Sequence, residues 1–121
     1  MQIIVDDLLT NYRIQGSGKT VLLLHGWGDK LTTFDKLAES LKSQFRVVRL
    51  DLPGFGGTET PKKTYNLNLF ANFTKNFLQK IECHDTYAII GHSNGGAIAM
   101  KGISNNILSC QRLVLLASSG I

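Results

Sequence analysis

The sequence predicts an α/β fold, with a mostly parallel sheet and helices on both faces, in one domain spanning residues 1–121. The segment Val21–Leu24 is continuously apolar, as strands buried on both faces of a sheet are. Apolar segments of this kind alternate along the chain with amphipathic helical segments and short connections. That alternation is typical of parallel strands joined by right-handed crossovers. A length of 121 residues suits one domain with its own core.

Each element follows from a local pattern. Two short β-type segments open the chain and predict a hairpin that ends at the turn Gly16–Lys19. The first helix is indicated by apolar residues that recur at spacings of three and four, among them Leu31, Phe34 and Leu41. A glycine- and proline-containing loop, Asp51–Lys63, precedes the second helix. The expected strands are Gln2–Val5, Leu8–Gln15, Val21–Leu24, Phe45–Leu50, Tyr87–Ile90 and Leu113–Ala117. The expected helices are Leu31–Ser43, Leu67–Ile81 and a third from Ala97 to about Ser104.

Composition and charge argue against several classes of partner. The formal net charge is +4, but the lysines are scattered without a basic stripe, so we expect no nucleic-acid partner. The sequence has no apolar stretch long enough to cross a bilayer, and its acidic start is unlike a signal peptide, so we expect no membrane partner. Cys83 and Cys110 form no disulfide framework and fit a reducing compartment, which predicts a cytoplasmic protein.

Two glycine-containing turns resemble nucleotide-binding loops but lack required positions. Gly16–Thr20 looks like the end of a phosphate-binding loop, yet Arg13 stands at the earlier glycine position and a strand follows where a helix is needed. Gly54–Gly56 begins a dinucleotide fingerprint whose third glycine position is Glu59. The sequence also has no zinc-type Cys/His spacing. We therefore expect no cofactor and no metal.

The most informative stretch is Gly91–Gly96, between a predicted strand and a predicted helix. It places Ser93 in a Gly-x-Ser-x-Gly pattern, which is typical of a nucleophile elbow. Glycines flank the serine because so sharp a turn leaves no room for side chains on its neighbours. The alternative interpretation is a serine that only caps the following helix.

Three motifs in order resemble the α/β-hydrolase family, and the resemblance extends over nearly the whole chain. They are His25–Gly28 after one apolar strand, Asp51–Thr58 after the next, and the elbow at Ser93. Each motif follows the carboxyl end of a predicted strand, where ligands bind in open α/β sheets. The resemblance implies that Ser93 is a nucleophile acting on ester-like substrates, carboxylic esters or related acyl compounds.

The same resemblance implies an oxyanion hole built from two backbone N–H groups. One belongs to Asn94, the residue after the nucleophile, and the other to Trp27, the residue after the His-Gly pair. Both residues are therefore also candidates for substrate binding. The alternative for Trp27 is an aromatic side chain that packs over the mouth of a pocket, and both descriptions can hold together.

Neither the histidines nor the nearest aspartate is expected to serve as the catalytic base. In the resembled family, residues at the positions of His25 and His92 are usually structural, and His84 precedes its strand at the opposite end of the sheet. Asp51 ends a strand on the site's side, where we expect it to stabilise the following loop.

The triad order in the family is Ser, then Asp or Glu, then His. Residues 94–121 contain none of these acids and no histidine. We therefore expect a partial hydrolase domain without its C-terminal half and cap, inactive as this fragment because a serine hydroxyl without its histidine is a weak nucleophile. The alternatives are a non-catalytic binding module and one half of a split hydrolase completed by a second chain. Leu113–Ala117 would form an exposed apolar edge, which predicts a protein partner or self-association there, besides a small-molecule acyl substrate.

Overall fold

The computed structural model describes residues 1–117, so the last four residues of the predicted 1–121 domain lie outside the described range. The strands are β1 (Gln2–Val5), β2 (Leu8–Gln15), β3 (Thr20–Leu24), β4 (Arg46–Leu50), β5 (Thr86–His92) and β6 (Arg112–Leu116). The helices are α1 (Asp35–Leu41), α2 (Leu67–Lys80) and α3 (Asn94–Ser104), and a 3-10 turn, Leu31–Phe34, leads into α1.

Within residues 1–117 the sheet has six strands in the order β1-β2-β4-β3-β5-β6. The central strand β3 pairs in parallel with β4 and β5, and β5 pairs in parallel with β6. The opening hairpin adds an antiparallel edge, because β2 pairs with β1 and also with β4. The predicted mostly parallel sheet is thus confirmed, and the carboxyl ends of β3, β4 and β5 meet at one edge.

Helices cover both faces of the sheet, as the sequence predicts. One face buries alternate strand residues, such as Leu22 and Ile89, under aromatic residues of α2 and Ile98 of α3. The opposite face packs Val21 and Leu23 against Phe34 and Ala38, at the start of α1. Because β3 is covered on both sides, all five of its residues are buried, which explains the continuously apolar stretch Val21–Leu24 within it.

The first helix is shorter than its apolar spacing indicates. It begins as a 3-10 turn at Leu31 and ends at Leu41, whereas the pattern predicts a single helix to Ser43. Side chains of β4 and its following loop hold the start of this segment. The Leu31 N–H donates to Asp51 Oδ1 at 2.7 Å, and its carbonyl accepts from Arg49 at 2.9 Å. The Leu31 carbonyl thus has a side-chain donor, and the Asp35 N–H donates to the Thr32 carbonyl in the 3-10 pattern instead.

The third helix begins earlier than predicted, at Asn94 instead of Ala97, and so starts directly after Ser93. Across residues 1–117, every helix is too short or too polar to span a lipid bilayer.

Candidate active site

Three loops meet where the central strands end. The loop after β3 contacts the elbow after β5, because Gly26 lies against Ser93. It also contacts the loop after β4, where the Leu52 N–H donates to His25 Nε2 at 2.9 Å. The fold therefore brings the three sequence motifs together at the carboxyl edge of the sheet, where open α/β sheets bind their ligands.

Ser93 stands on a strained turn between β5 and α3. Its backbone has φ 54° and ψ −122°, a conformation that residues with side chains rarely adopt. A Cβ on Gly91 would lie 2.6 Å from the backbone nitrogen of Gly96, so only glycine fits at that position. Within residues 1–117, the Ser93 hydroxyl makes no capping hydrogen bond to α3. The simple helix-cap interpretation of this serine therefore lacks its expected hydrogen bond.

The peptide after Gly26 lies beside the Ser93 side chain. A Cβ added at Gly26 would be 2.9 Å from Ser93 Cβ and 3.4 Å from Ser93 Oγ, so glycine permits this close approach. Trp27 follows Gly26 directly, and Asn94 is the first residue of α3. The structure thus brings the three predicted site residues Ser93, Trp27 and Asn94 to one place.

The last strand of the described sheet holds the elbow in position. The Ser93 N–H donates to the carbonyl of Leu116 in β6 at 3.0 Å. The next N–H along the chain, at Asn94, lies at the start of α3, where the helix dipole favours negative charge. β6 is the edge strand of the described sheet and is apolar, with Leu113, Val114 and Leu116 each 37–42% exposed.

His25 is a structural residue in this arrangement. It is fully buried, its Nδ1–H donates to the Gly26 carbonyl at 2.7 Å, and its Nε2 accepts from Leu52. Burial lowers the pKa of His25 below its ordinary value of 6.5, against smaller opposing effects of the Gly26 hydrogen bond and of Asp51 and Asp29. Both ring nitrogens are therefore occupied and the neutral form is favoured, as expected for a residue that links two loops.

Replacing His25 with glutamine is expected to destabilise the fold by about 1–2 kcal/mol at pH 8, because the flexible amide does not reproduce both buried hydrogen bonds of the ring, to the Gly26 carbonyl and from the Leu52 N–H. The lowered pKa of His25 gives stability that is complete above pH 6.5 and declines as the pH falls below 6.5. The gap between wild type and variant should therefore narrow in acid, as measured by urea unfolding at several pH values. His84→Gln, at an exposed position, is the control; a gap that is constant or widens in acid would contradict this assignment.

The other two histidines lie at opposite ends of β5. His92 has its Nδ1 3.8 Å from Asp29 Oδ2, in the loop after β3. His84 precedes β5, so the length of that strand, roughly 20 Å at ~3.3 Å per residue, separates it from Ser93. The position of His84 agrees with the sequence-based expectation that it does not serve as the base, and the same expectation for His92 stays a prediction.

Aromatic side chains that the sequence analysis did not assign to the site surround Trp27. The Trp27 ring stacks on Phe55 with centroids 5.2 Å apart and contacts Phe70 at 4.9 Å. Tyr65 meets Phe70 edge-on at 5.2 Å. The sequence pattern places Phe70 in the buried stripe of a helix and Phe55 in a turn. Neither pattern indicates that the two side chains pack against the same tryptophan. The exposure of Trp27, at 46%, agrees with an aromatic residue at a pocket mouth.

Comparison with known proteins agrees with this architecture. The α/β hydrolase fold family model matches residues 19–120. An uncharacterized protein of Mycobacterium tuberculosis is 34% identical over 110 residues, 91% of this chain and 32% of that protein. The pimeloyl-[acyl-carrier protein] methyl ester esterase of Pseudoalteromonas atlantica is 32% identical over 108 residues, 88% of this chain and 40% of that enzyme.

Solved structures give the same result. A membrane phospholipase A, described as a bacterial virulence factor, matches with a TM-score of 0.93 and 31% identity over 100% of this chain and 40% of that one. The chain thus spans 32–40% of the length of these three relatives. The family match, the sheet order and the strained turn at Ser93 agree, and the chain belongs to the α/β hydrolase fold family.

Proposed function

We propose that this chain carries the nucleophile and the oxyanion hole of a serine hydrolase acting on small ester-like substrates. The observation that carries the proposal is the backbone of Ser93 at φ 54°, held between β5 and α3 with Gly26 against its side chain. Strain of this kind costs about 1–3 kcal/mol and is typical of functional sites. The esterase and phospholipase named among the relatives act in the same general class.

The proposed reaction begins with attack of Ser93 Oγ on the carbonyl carbon of an ester. The carbonyl oxygen becomes an oxyanion, which accepts hydrogen bonds from the N–H groups of Trp27 and Asn94. A base takes the hydroxyl proton, the alcohol leaves with a proton, and water then hydrolyses the acyl-serine. This chemistry requires no cofactor.

The base and its supporting acid are assigned to residues outside these 121. His25 is neutral with both nitrogens engaged, and Asp51 accepts hydrogen bonds from three donors in its own surroundings. These 121 residues would thus form part of a hydrolase domain, and the same protein would supply the rest of the triad. The two free cysteines fit a reducing compartment, and we propose the cytoplasm as its location.

One sequence observation favours two other functions. Residues 94–121 contain no Asp, Glu or His, as in a non-catalytic binding module or in one half of a split enzyme. In the split enzyme, the exposed apolar edge formed by β6 would contact a second polypeptide.

A fluorophosphonate probe tests the proposal on the full-length protein that carries this sequence. We expect labelling of Ser93, and a loss of at least about 100-fold in labelling rate for Ser93→Ala with an unchanged urea midpoint. Ser104→Ala, an exposed serine at the end of α3, is the matched control and should be labelled like wild type. Absent labelling of the folded protein favours the binding module, and labelling that needs a second polypeptide favours the split enzyme.

A further inference from the structure

An open cleft of about 390 Å³ lies beside the proposed oxyanion hole. Trp27, Phe55, Tyr65 and Phe70 form its aromatic part, and we call it the aromatic cleft. Trp27 belongs to both sites, because its ring lines the cleft and its backbone N–H is the proposed oxyanion donor. A substrate carbonyl at Ser93 would therefore have this aromatic surface next to it.

Two lysines belong to the lining of the aromatic cleft. Lys62 and Lys63 line it and are exposed, and the lining residues include no aspartate or glutamate. Asp6 and Asp7 line a neighbouring hollow that shares these two lysines. They do not border the cleft, and the Asp6 carboxylate accepts hydrogen bonds from Asn76 at 2.9 and 3.1 Å.

The aromatic walls and the two lysines of the cleft suit a ligand with an apolar chain and an anionic group. Aromatic side chains favour burial of a hydrocarbon chain, and ammonium groups attract an anion placed beyond it. A ligand with a neutral chain would gain binding free energy from burial of the chain but not from the ammonium groups. The cleft thus offers a way to distinguish esters by the charge at the end remote from the reacting carbonyl.

We propose that the aromatic cleft binds the acyl part of an ester substrate and that Lys62 and Lys63 hold an anionic group at its far end. The substrate class is therefore esters of apolar acids that carry a remote carboxylate. This inference rests on the proposed function for the orientation of the substrate, since the ester carbonyl must lie at Ser93.

Binding can be tested separately from hydrolysis, because Trp27 is the single tryptophan of this sequence and lies in the cleft. The probes are octanoate and its neutral analogue octanamide, titrated into the Ser93→Ala variant while Trp27 fluorescence is followed. We expect octanoate to bind about two- to fivefold more tightly, as one exposed ion pair allows, with the difference removed at high salt.

Charge reversal of both lysines, Lys62→Glu with Lys63→Glu, should abolish the preference for octanoate. The matched control is Lys36→Glu, an exposed lysine of α1, and it should leave the preference unchanged. Equal binding of the two probes, or a preference that survives reversal of both lysines, overturns the proposal. The second result would indicate that the carboxylate lies in the oxyanion hole.

Hydrolysis supplies the second readout. For the monomethyl ester of a linear dicarboxylic acid, reversal of both lysines should raise KM about five- to tenfold with little change in kcat, and the dimethyl ester should be unaffected. An equal change for both esters overturns the proposal. If octanoate binds as expected but Ser93 is not labelled by fluorophosphonate, the cleft assignment stands and the proposed hydrolase function fails.

Discussion

Replacing Gly95 with alanine is expected to destabilise the fold by about 3 kcal/mol or more. The added Cβ would lie 2.6 Å from the carbonyl carbon of Leu24 and 2.7 Å from the carbonyl oxygen of His25. These are backbone atoms at the end of the central, fully buried strand, so they cannot move aside as a side chain would. Overpacking of a core usually costs 1–3 kcal/mol, and rigid neighbours place this site at or above the top of that range.

Urea unfolding measures the effect, and Gly102→Ala is the matched control in the same helix. The Cβ at Gly102 would meet side-chain atoms, Leu108 Cδ1 at 2.6 Å, Leu108 Cγ at 2.8 Å and Ala71 Cβ at 3.2 Å, which shift at lower cost than backbone, while alanine gains helix propensity of about 1 kcal/mol. Gly95→Ala should therefore unfold at clearly lower urea than Gly102→Ala and should also label more slowly with fluorophosphonate, because α3 carries the elbow. Equal midpoints for the two variants would show that α3 does not approach β3 as closely as described.

This close approach explains why the elbow is readable from sequence. Glycine is the only residue that fits at Gly91 and Gly95, so the close packing at these positions can be inferred from the residue types. The buried strands are as easily recognised, since a strand covered on both faces is mostly apolar, as β3 is from Val21 to Leu24. Local requirements of this kind leave a local pattern.

Features set by distant partners leave no such pattern. Arg49 is 2% exposed within β4, where its guanidinium meets Asp35 at 2.7 Å and Gln15 at 2.8 Å. The sequence shows only an arginine in a strand, because both partners lie 14 or more positions away. The antiparallel pairing of β2 with β4 is similar, since a partly exposed strand fits against many neighbours.

The aromatic cleft was missed for a related reason. Phe55 lies in a turn and Phe70 in a helical stripe, and each has a sufficient local explanation. Their contact through Trp27 depends on how the loops after β3 and β4 meet, which only the folded chain shows. The two oxyanion donors cannot be recognised from their residue types, because every residue except proline has a backbone N–H. They remain predictions from the motif.

Asp51 is expected to have the second large effect, because it joins three segments at the site. Its Oδ1 accepts from the Leu31 N–H at 2.7 Å, and its Oδ2 accepts from the Gly57 N–H at 2.8 Å and from Asn11 Nδ2 at 2.9 Å. The residue is only 2% exposed, so water does not replace these hydrogen bonds when the carboxylate is removed. Buried donors left without an acceptor cost about 1–3 kcal/mol each.

Asp51→Asn should therefore lower the free energy of unfolding by about 3 kcal/mol or more, since the amide group turns one acceptor into a donor that faces other donors. Asp29→Asn is the matched control, because this carboxylate lies in the loop after β3 but is 36% exposed, and it should change stability by about 0.5 kcal/mol at most. Urea unfolding and fluorophosphonate labelling separate the two roles that an aspartate here can have. A loss of stability, with labelling of the remaining folded fraction retained, identifies Asp51 as the residue that holds the loops together. Wild-type stability with labelling lost would instead make Asp51 part of the proton-transfer machinery and contradict the structural role.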